Sequence, residues 1–224
     1  MFPSHSPHLQ LFKDHKTHVY LVTPDQVSNH DLFTGMHEAI LAGVSMVQLR
    51  DKKASHQELF DRGMLLLEHL RPRGIPLIVN DHVELAYRLG ADGVHLGQSD
   101  GSVERARDLL GPHAIIGLSI ENETQAQAAQ RLNVTYLSAS PVFATRTKLD
   151  CSPPWELSRL RALCACSRLP VVAIGGIHAH NASLVMDCGV RAIAIISAFW
   201  SASDRYVAIQ ELLQTIHIEK RHDD

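Results

Sequence analysis

A single (β/α)8 TIM barrel is the fold predicted by this 224-residue sequence, on three observations. Eight short apolar runs recur along the chain, and each is followed by an amphipathic stretch of helical length. The runs are near-continuously apolar rather than alternating, as strands buried on both faces are. No linker or low-complexity segment breaks the alternation, so one domain holds every unit.

The elements follow in order. His18–Thr23 (HVYLVT) reads as the first strand, with a helix over Leu32–Leu41. Ser45–Arg50 (SMVQLR) is the second, followed by Gln57–Leu70, where Leu59, Phe60, Met64, Leu67 and Leu70 share one helical face. Pro76–Asn80 and Gly93–Leu96 are the third and fourth strands, with helices over Val83–Leu89 and Val103–Leu110. Ala114–Ser119 and Thr135–Ala139 are the fifth and sixth, with helices over Glu123–Leu132 and Glu156–Cys166. Val171–Gly175 and Arg191–Ile196 complete the set, with helices over Ala182–Cys188 and Asp204–His217. Glycines at 43, 74, 90, 111 and 189 precede strands, where helix C-caps are expected. A doubly wound open sheet is the competing architecture. It would carry a Gly-rich fingerprint after its first strand, where this chain has Pro24–Asp25.

The barrel domain is expected over residues 18–217, between an N-terminal extension (1–17), read as loosely ordered, and a C-terminal tail (218–224). Four of the 15 histidines lie in or beside that extension, without helical framing for a metal site. With 21 basic and 24 acidic residues the net charge is -3, which excludes the basic footprint of a nucleic-acid binder. No apolar run approaches the roughly 18 residues of a membrane span. The start lacks the charged-then-apolar pattern of a secretory signal. A cytoplasmic protein with small-molecule partners is expected, and the sequence leaves room for a homo-oligomer. The four cysteines, Cys151, Cys164, Cys166 and Cys188, read as reduced, buried thiols.

In such a barrel the chemistry sits at the C-terminal strand ends. The second strand ends in Gln48, Arg50 and Lys52, whose period of two points all three the same way in an extended segment. Arg offers a planar fork for phosphate oxygens and Lys a mobile point charge. The third and fourth strands end near Asn80, Asp81 and Asp100; two carboxylates are the usual protein share of a Mg²⁺ site completed by substrate phosphates. Ser119 ends the fifth strand, and the sixth runs into Thr145, Arg146, Thr147 and Lys148. Gly175–Gly176 and Ile196–Ser197 follow the seventh and eighth strands, where this fold commonly binds a phosphate. Taken together, the strand ends suit a metal-bound diphosphate beside a monophosphate. Each group also has a bland reading. The Asp51–Lys53 cluster could be a solvated loop, Asp81 and Asp100 could cap helices, Gly175–Gly176 could be a tight turn, and His95 could be an interior histidine. No Ser-His-Asp or Cys-His arrangement is legible.

QLRDK, the Asn80–Asp81 pair, ADGVHLGQSD, GLS, PVFATRTK and VVAIGGI occur in this order, and from about Tyr20 to Ala198 the chain resembles thiamine phosphate synthases. The resemblance implies a transferase (EC 2.5.1.3) that joins 4-amino-2-methyl-5-hydroxymethylpyrimidine diphosphate to hydroxyethylthiazole phosphate, with Mg²⁺ as cofactor. It implies that Arg50, Lys52, Asn80, Ser119 and Lys148 hold the diphosphate, with Gln48 beside that substrate. Arg50, Lys52, Ser119 and Lys148 would be the catalytic set. Asp81 and Asp100 would bind the metal; Thr145, Thr147, Gly176, Ile196 and Ser197 would receive the thiazole phosphate. Ser138-Ala139-Ser140 stands where the family has glycines, Leu149 where a second lysine is frequent, and CSPP at Cys151–Pro154 is atypical. A thiazole tautomerase-like paralogue, a sugar-phosphate epimerase and a non-catalytic binder of thiamine precursors are the competing readings. The first two would need acid/base residues rather than a cation patch.

Overall fold

A computed structural model describes Phe12, residues 18–145 and residues 153–218. Eight parallel strands close into a barrel in sequential order, so the first strand pairs with the second and with the eighth. The strands are β1 (His18–Val22), β2 (Met46–Leu49), β3 (Leu77–Asn80), β4 (Gly93–Leu96), β5 (Ile115–Ile120), β6 (Tyr136–Ala139), β7 (Val171–Ile174) and β8 (Ala192–Ile195). The helices are α1 (Asn29–Ala42), α2 (His56–Leu70), α3 (Val83–Leu89), α4 (Val103–Leu110), α5 (Glu123–Ala129), α6 (Glu156–Cys166), α7 (Ala179–Met186), α8 (Ser197–Trp200) and α9 (Arg205–Ile218).

Local chemistry explains where helices start. Ser55 and Glu58 form a reciprocal capping box at the head of α2. Ser28, Ser102 and Asn122 accept backbone N–H bonds at the heads of α1, α4 and α5. The Ser28 cap starts α1 three residues before the apolar periodicity does. Gly90 ends α3 with φ of 60°, a left-handed conformation that glycine adopts without penalty. Helix α8 has only four residues, too few to show a period, and periodicity does not reveal it.

Two apolar layers result. Between barrel and helices lie residues such as Leu21, Leu49, Leu70, Val94, Leu137, Trp155 and Phe199, all buried. Inside the barrel Tyr20, Val22, Met46, Ile78, Ile115, Tyr136, Val172, Ala192 and Ala194 form a second core. Phe12 joins this inner core: it is 8% exposed, and its ring lies 5.6 Å from that of Tyr136. The remainder of the expected N-terminal extension lies outside the described residues. Of the cysteines, Cys188 is buried and Cys164 half-buried, but Cys166 is exposed, because it sits at the C-terminal end of α6 on the outward side. Cys151 lies outside the described residues. No helix among the described residues is long and apolar enough to cross a membrane.

Candidate active site

The C-terminal strand ends surround a cavity of about 360 Å³. Gln48, Arg50, Lys52, Asn80, Asp81, Asp100, Ser119, Thr145, Gly176, Ile196 and Ser197 all line it. Thr147 and Lys148, with Arg146 and Leu149, lie outside the described residues.

The cationic side is built around β1 and β2. Thr23 Oγ1 donates to the Arg50 carbonyl (2.7 Å) and accepts from the Arg50 N–H (2.8 Å), which pins the backbone just past β2. Asp25 Oδ1 accepts from Arg50 Nη1 and from the Lys52 backbone N–H, each at 2.8 Å. The Arg50 side chain is thus held at the mouth, 13% exposed, while the Lys52 ammonium is freer at 55% and lies 4.0 Å from Asp81 Oδ2. Asp51 is not part of a solvated loop. It is buried and accepts from Arg62 Nη1 (2.7 Å) and from the Gln26, Lys53 and Ala54 N–H groups. Burial would push its carboxyl up, but the backbone donors and the Arg62 guanidinium hold it below the usual range.

The carboxylate side is built around β3 and β4. Neither acid caps a helix: α3 has His82 at its N-cap and α4 has Ser102. Asp81 has φ of 64°, a left-handed conformation that Asp adopts more readily than most residues other than glycine. Asp100 Oδ2 accepts from the Gly97 N–H at 2.9 Å. Burial and the adjacent Asp100 carboxyl push Asp81 up to about 6, although Lys52 pulls the other way. Two carboxyls crowded at one wall of a cavity form a donor pair that a hard divalent cation suits. No larger cluster of metal-ligating side chains is present among the described residues.

The wall between these sides is hydrogen-bonded. His95, 7% exposed, contacts Tyr136 Oη through Nδ1 and Ser119 Oγ through Nε2, each at 2.9 Å. Gln98 Nε2 donates to the Ser119 carbonyl at 2.6 Å. A Ser–His contact is therefore present where the sequence showed none, because the register of β4 against β5 creates it. Sequence spacing does not reveal that register.

The far side is shaped by glycine. Gly175 and Gly176 have φ of 107° and 65°. A Cβ on Gly175 would come within 2.6 Å of Pro141 Cβ, and one on Gly176 within 2.8 Å of Phe143 Cβ. The pair is thus more than a tight turn: it lets the segment after β6, which carries Thr145, pack against the end of β7. Ser138 and Ser140 line the cavity, and the Ser140 N–H donates to Ile120 O at 3.1 Å. Asp25, Tyr20 and Tyr136 escaped the sequence reading. Asp25 lies in a loop without a motif, and the tyrosines read as ordinary strand core.

A family model described as thiamine monophosphate synthase matches residues 19–199. The chain belongs to this family. It is 42% identical over 200 residues to the thiamine-phosphate synthase of Albidiferax ferrireducens, covering 88% of this chain and 91% of that protein. It is 40% identical over 195 residues to the thiamine-phosphate synthase of Vibrio campbellii, covering 87% and 96%. The solved thiamine phosphate pyrophosphorylase from Pyrococcus furiosus superposes with a TM-score of 0.80 at 33% identity, covering 90% of this chain and 96% of that one. Family membership thus rests on the whole barrel rather than on short motifs.

Proposed function

We propose that this chain, like the thiamine-phosphate synthases it is similar to, joins 4-amino-2-methyl-5-hydroxymethylpyrimidine diphosphate to hydroxyethylthiazole phosphate, giving thiamine phosphate and pyrophosphate. The observation that carries the reading is one cavity with Arg50 and Lys52 on one wall and Asp81 and Asp100 on the next.

The roles are those that the resemblance to thiamine phosphate synthases implies, and the layout supports them for the described residues. The Arg50 fork and Lys52 bind diphosphate oxygens, with Asn80, Ser119 and Lys148 as further donors. Gln48 lies beside the pyrimidine substrate. Asp81 and Asp100 would hold Mg²⁺, which would supply Lewis-acid withdrawal of charge from the diphosphate. Thr145, Thr147, Gly176, Ile196 and Ser197 receive the thiazole phosphate and set its ring nitrogen against the pyrimidine methylene. The methylene C–O bond breaks with its electron pair leaving on pyrophosphate, and the cation is delocalised into the aminopyrimidine ring. The thiazole nitrogen then forms the C–N bond. No protein nucleophile enters; catalysis is stabilisation of the departing charge together with alignment.

The chain should release pyrophosphate when supplied with Mg²⁺ and both substrates, and release none when either substrate is omitted. Normal binding of both substrates without release would make it a binder of thiamine precursors instead.

A further inference from the structure

Five side chains form one hydrogen-bonded line that starts and ends at the cavity. Gln48 Nε2 lies 2.6 Å from Tyr20 Oη, which lies 3.0 Å from Tyr136 Oη. Tyr136 Oη lies 2.9 Å from His95 Nδ1, and His95 Nε2 lies 2.9 Å from Ser119 Oγ. Both phenols are essentially fully buried, and Tyr136 does not line the cavity.

The line has a direction, set at its Gln48 end. An amide nitrogen only donates, so Tyr20 Oη accepts from it. The Tyr20 proton then points to Tyr136 Oη, and the Tyr136 proton to His95 Nδ1. Burial pushes both phenols well above their ordinary range, so each keeps its proton. Reversing any link would leave a buried phenol proton without this acceptor, which is costly. A neutral imidazole that accepts at Nδ1 carries its proton on Nε2. That proton is donated to Ser119 Oγ, and the serine's own proton is turned away from His95.

We infer that Gln48, Tyr20, Tyr136 and His95 form a directional relay that holds His95 as its Nε2–H tautomer and presents the Ser119 hydroxyl as a donor to the departing diphosphate. The relay runs opposite to a hydrolytic Ser–His pair, in which Nε2 accepts the serine proton and makes the oxygen a nucleophile. Its consequence for turnover rests on the proposed pyrophosphate-releasing function; the tautomer itself does not. Tyr20, Tyr136 and His95 are positioning residues in this account, acting through Ser119.

The test is ¹⁵N NMR of imidazole-labelled protein at about pH 8.5, well above the ordinary imidazole pKa of about 6.5. A His95→Gln variant assigns the signal. His95 should show the Nε2–H pattern. An Nδ1–H or imidazolium pattern would overturn the relay. Gln48→Glu replaces a donor by an acceptor and should reverse the line, moving the proton to Nδ1; retention of Nε2–H in that variant would also overturn it. Tyr136→Phe touches no substrate and should lower kcat by about tenfold or more while leaving the KM for the pyrimidine diphosphate within about twofold. Unchanged kcat would remove the relay from catalysis. If the parent protein released no pyrophosphate, the functional reading would fail while the NMR result still decided the direction of the line.

Discussion

Asp25 Oδ1 sits 2.8 Å from Arg50 Nη1 and 2.8 Å from the Lys52 backbone N–H, so a single carboxylate oxygen holds both cationic residues of the mouth. Arg50 is therefore aimed before substrate arrives, and the entropy of ordering its long side chain is spent on folding rather than on binding. Asp25→Ala should lower kcat/KM for the pyrimidine diphosphate by about tenfold, mostly through KM. Steady-state kinetics with that substrate varied checks this. An unchanged KM would mean that Arg50 needs no such support.

Asp81 makes a pH-dependent prediction. Its folded pKa of about 6 exceeds the ordinary 3.8, so the folded chain binds this proton more tightly than the unfolded chain does. That contribution to stability is fully present below pH 3.8 and is lost as pH rises through 6. Asp81→Asn, which tolerates the left-handed backbone, should therefore gain on the parent as pH rises, by about 1–2 kcal/mol at pH 8 after discounting for partial exposure. Thermal unfolding in EDTA at pH 4.5 and pH 8 measures the gap, expected to open by about 2–6 °C. A gap independent of pH would contradict the assignment. The same variant should lose most pyrophosphate release.

Phe12 tests how the inner core is closed. Its ring is packed against Tyr136 among the barrel-interior residues. Phe12→Ala should destabilise the protein by about 3 kcal/mol. The corresponding fall in Tm is about 6–12 °C for a domain of this size. Turnover at 25 °C should be retained, since Phe12 is not part of the cavity wall. A Tm within about a degree of the parent would show that the packing contributes nothing.

Lys148 carries the proposal for the loop after β6. Lys148→Ala should reduce kcat by about a hundredfold, the common loss when one contact to a developing charge is removed. Single-turnover pyrophosphate release is the readout. Parent-like turnover would show that the TRTK segment plays no part in departure of the diphosphate.

The barrel and most of its mouth were legible in the sequence because both follow from local patterns. Near-continuous apolar runs mark doubly covered strands, and polar residues at their ends mark the mouth. Gln48, Arg50 and Lys52 could be grouped by their period of two alone. What escaped depends on contacts across the barrel. Tyr20 and Tyr136 are 116 residues apart, and only barrel closure brings their hydroxyls to 3.0 Å. His95 and Ser119 meet through the register of β4 on β5. Asp25 falls in a loop without a motif, and Phe12 in a segment without helical or strand periodicity to mark its buried face. Helix α8 has four residues, barely one helical turn, so no repeat of the period can reveal it.

The central claim is that one cavity drives loss of pyrophosphate and captures the resulting cation with the thiazole. The most direct measurement is a single-turnover reaction with Mg²⁺ and both substrates in which pyrophosphate and thiamine phosphate are quantified together. The account predicts that the two form in equal amounts and at the same rate. Absence of both products, or pyrophosphate release without matching thiamine phosphate, would contradict it.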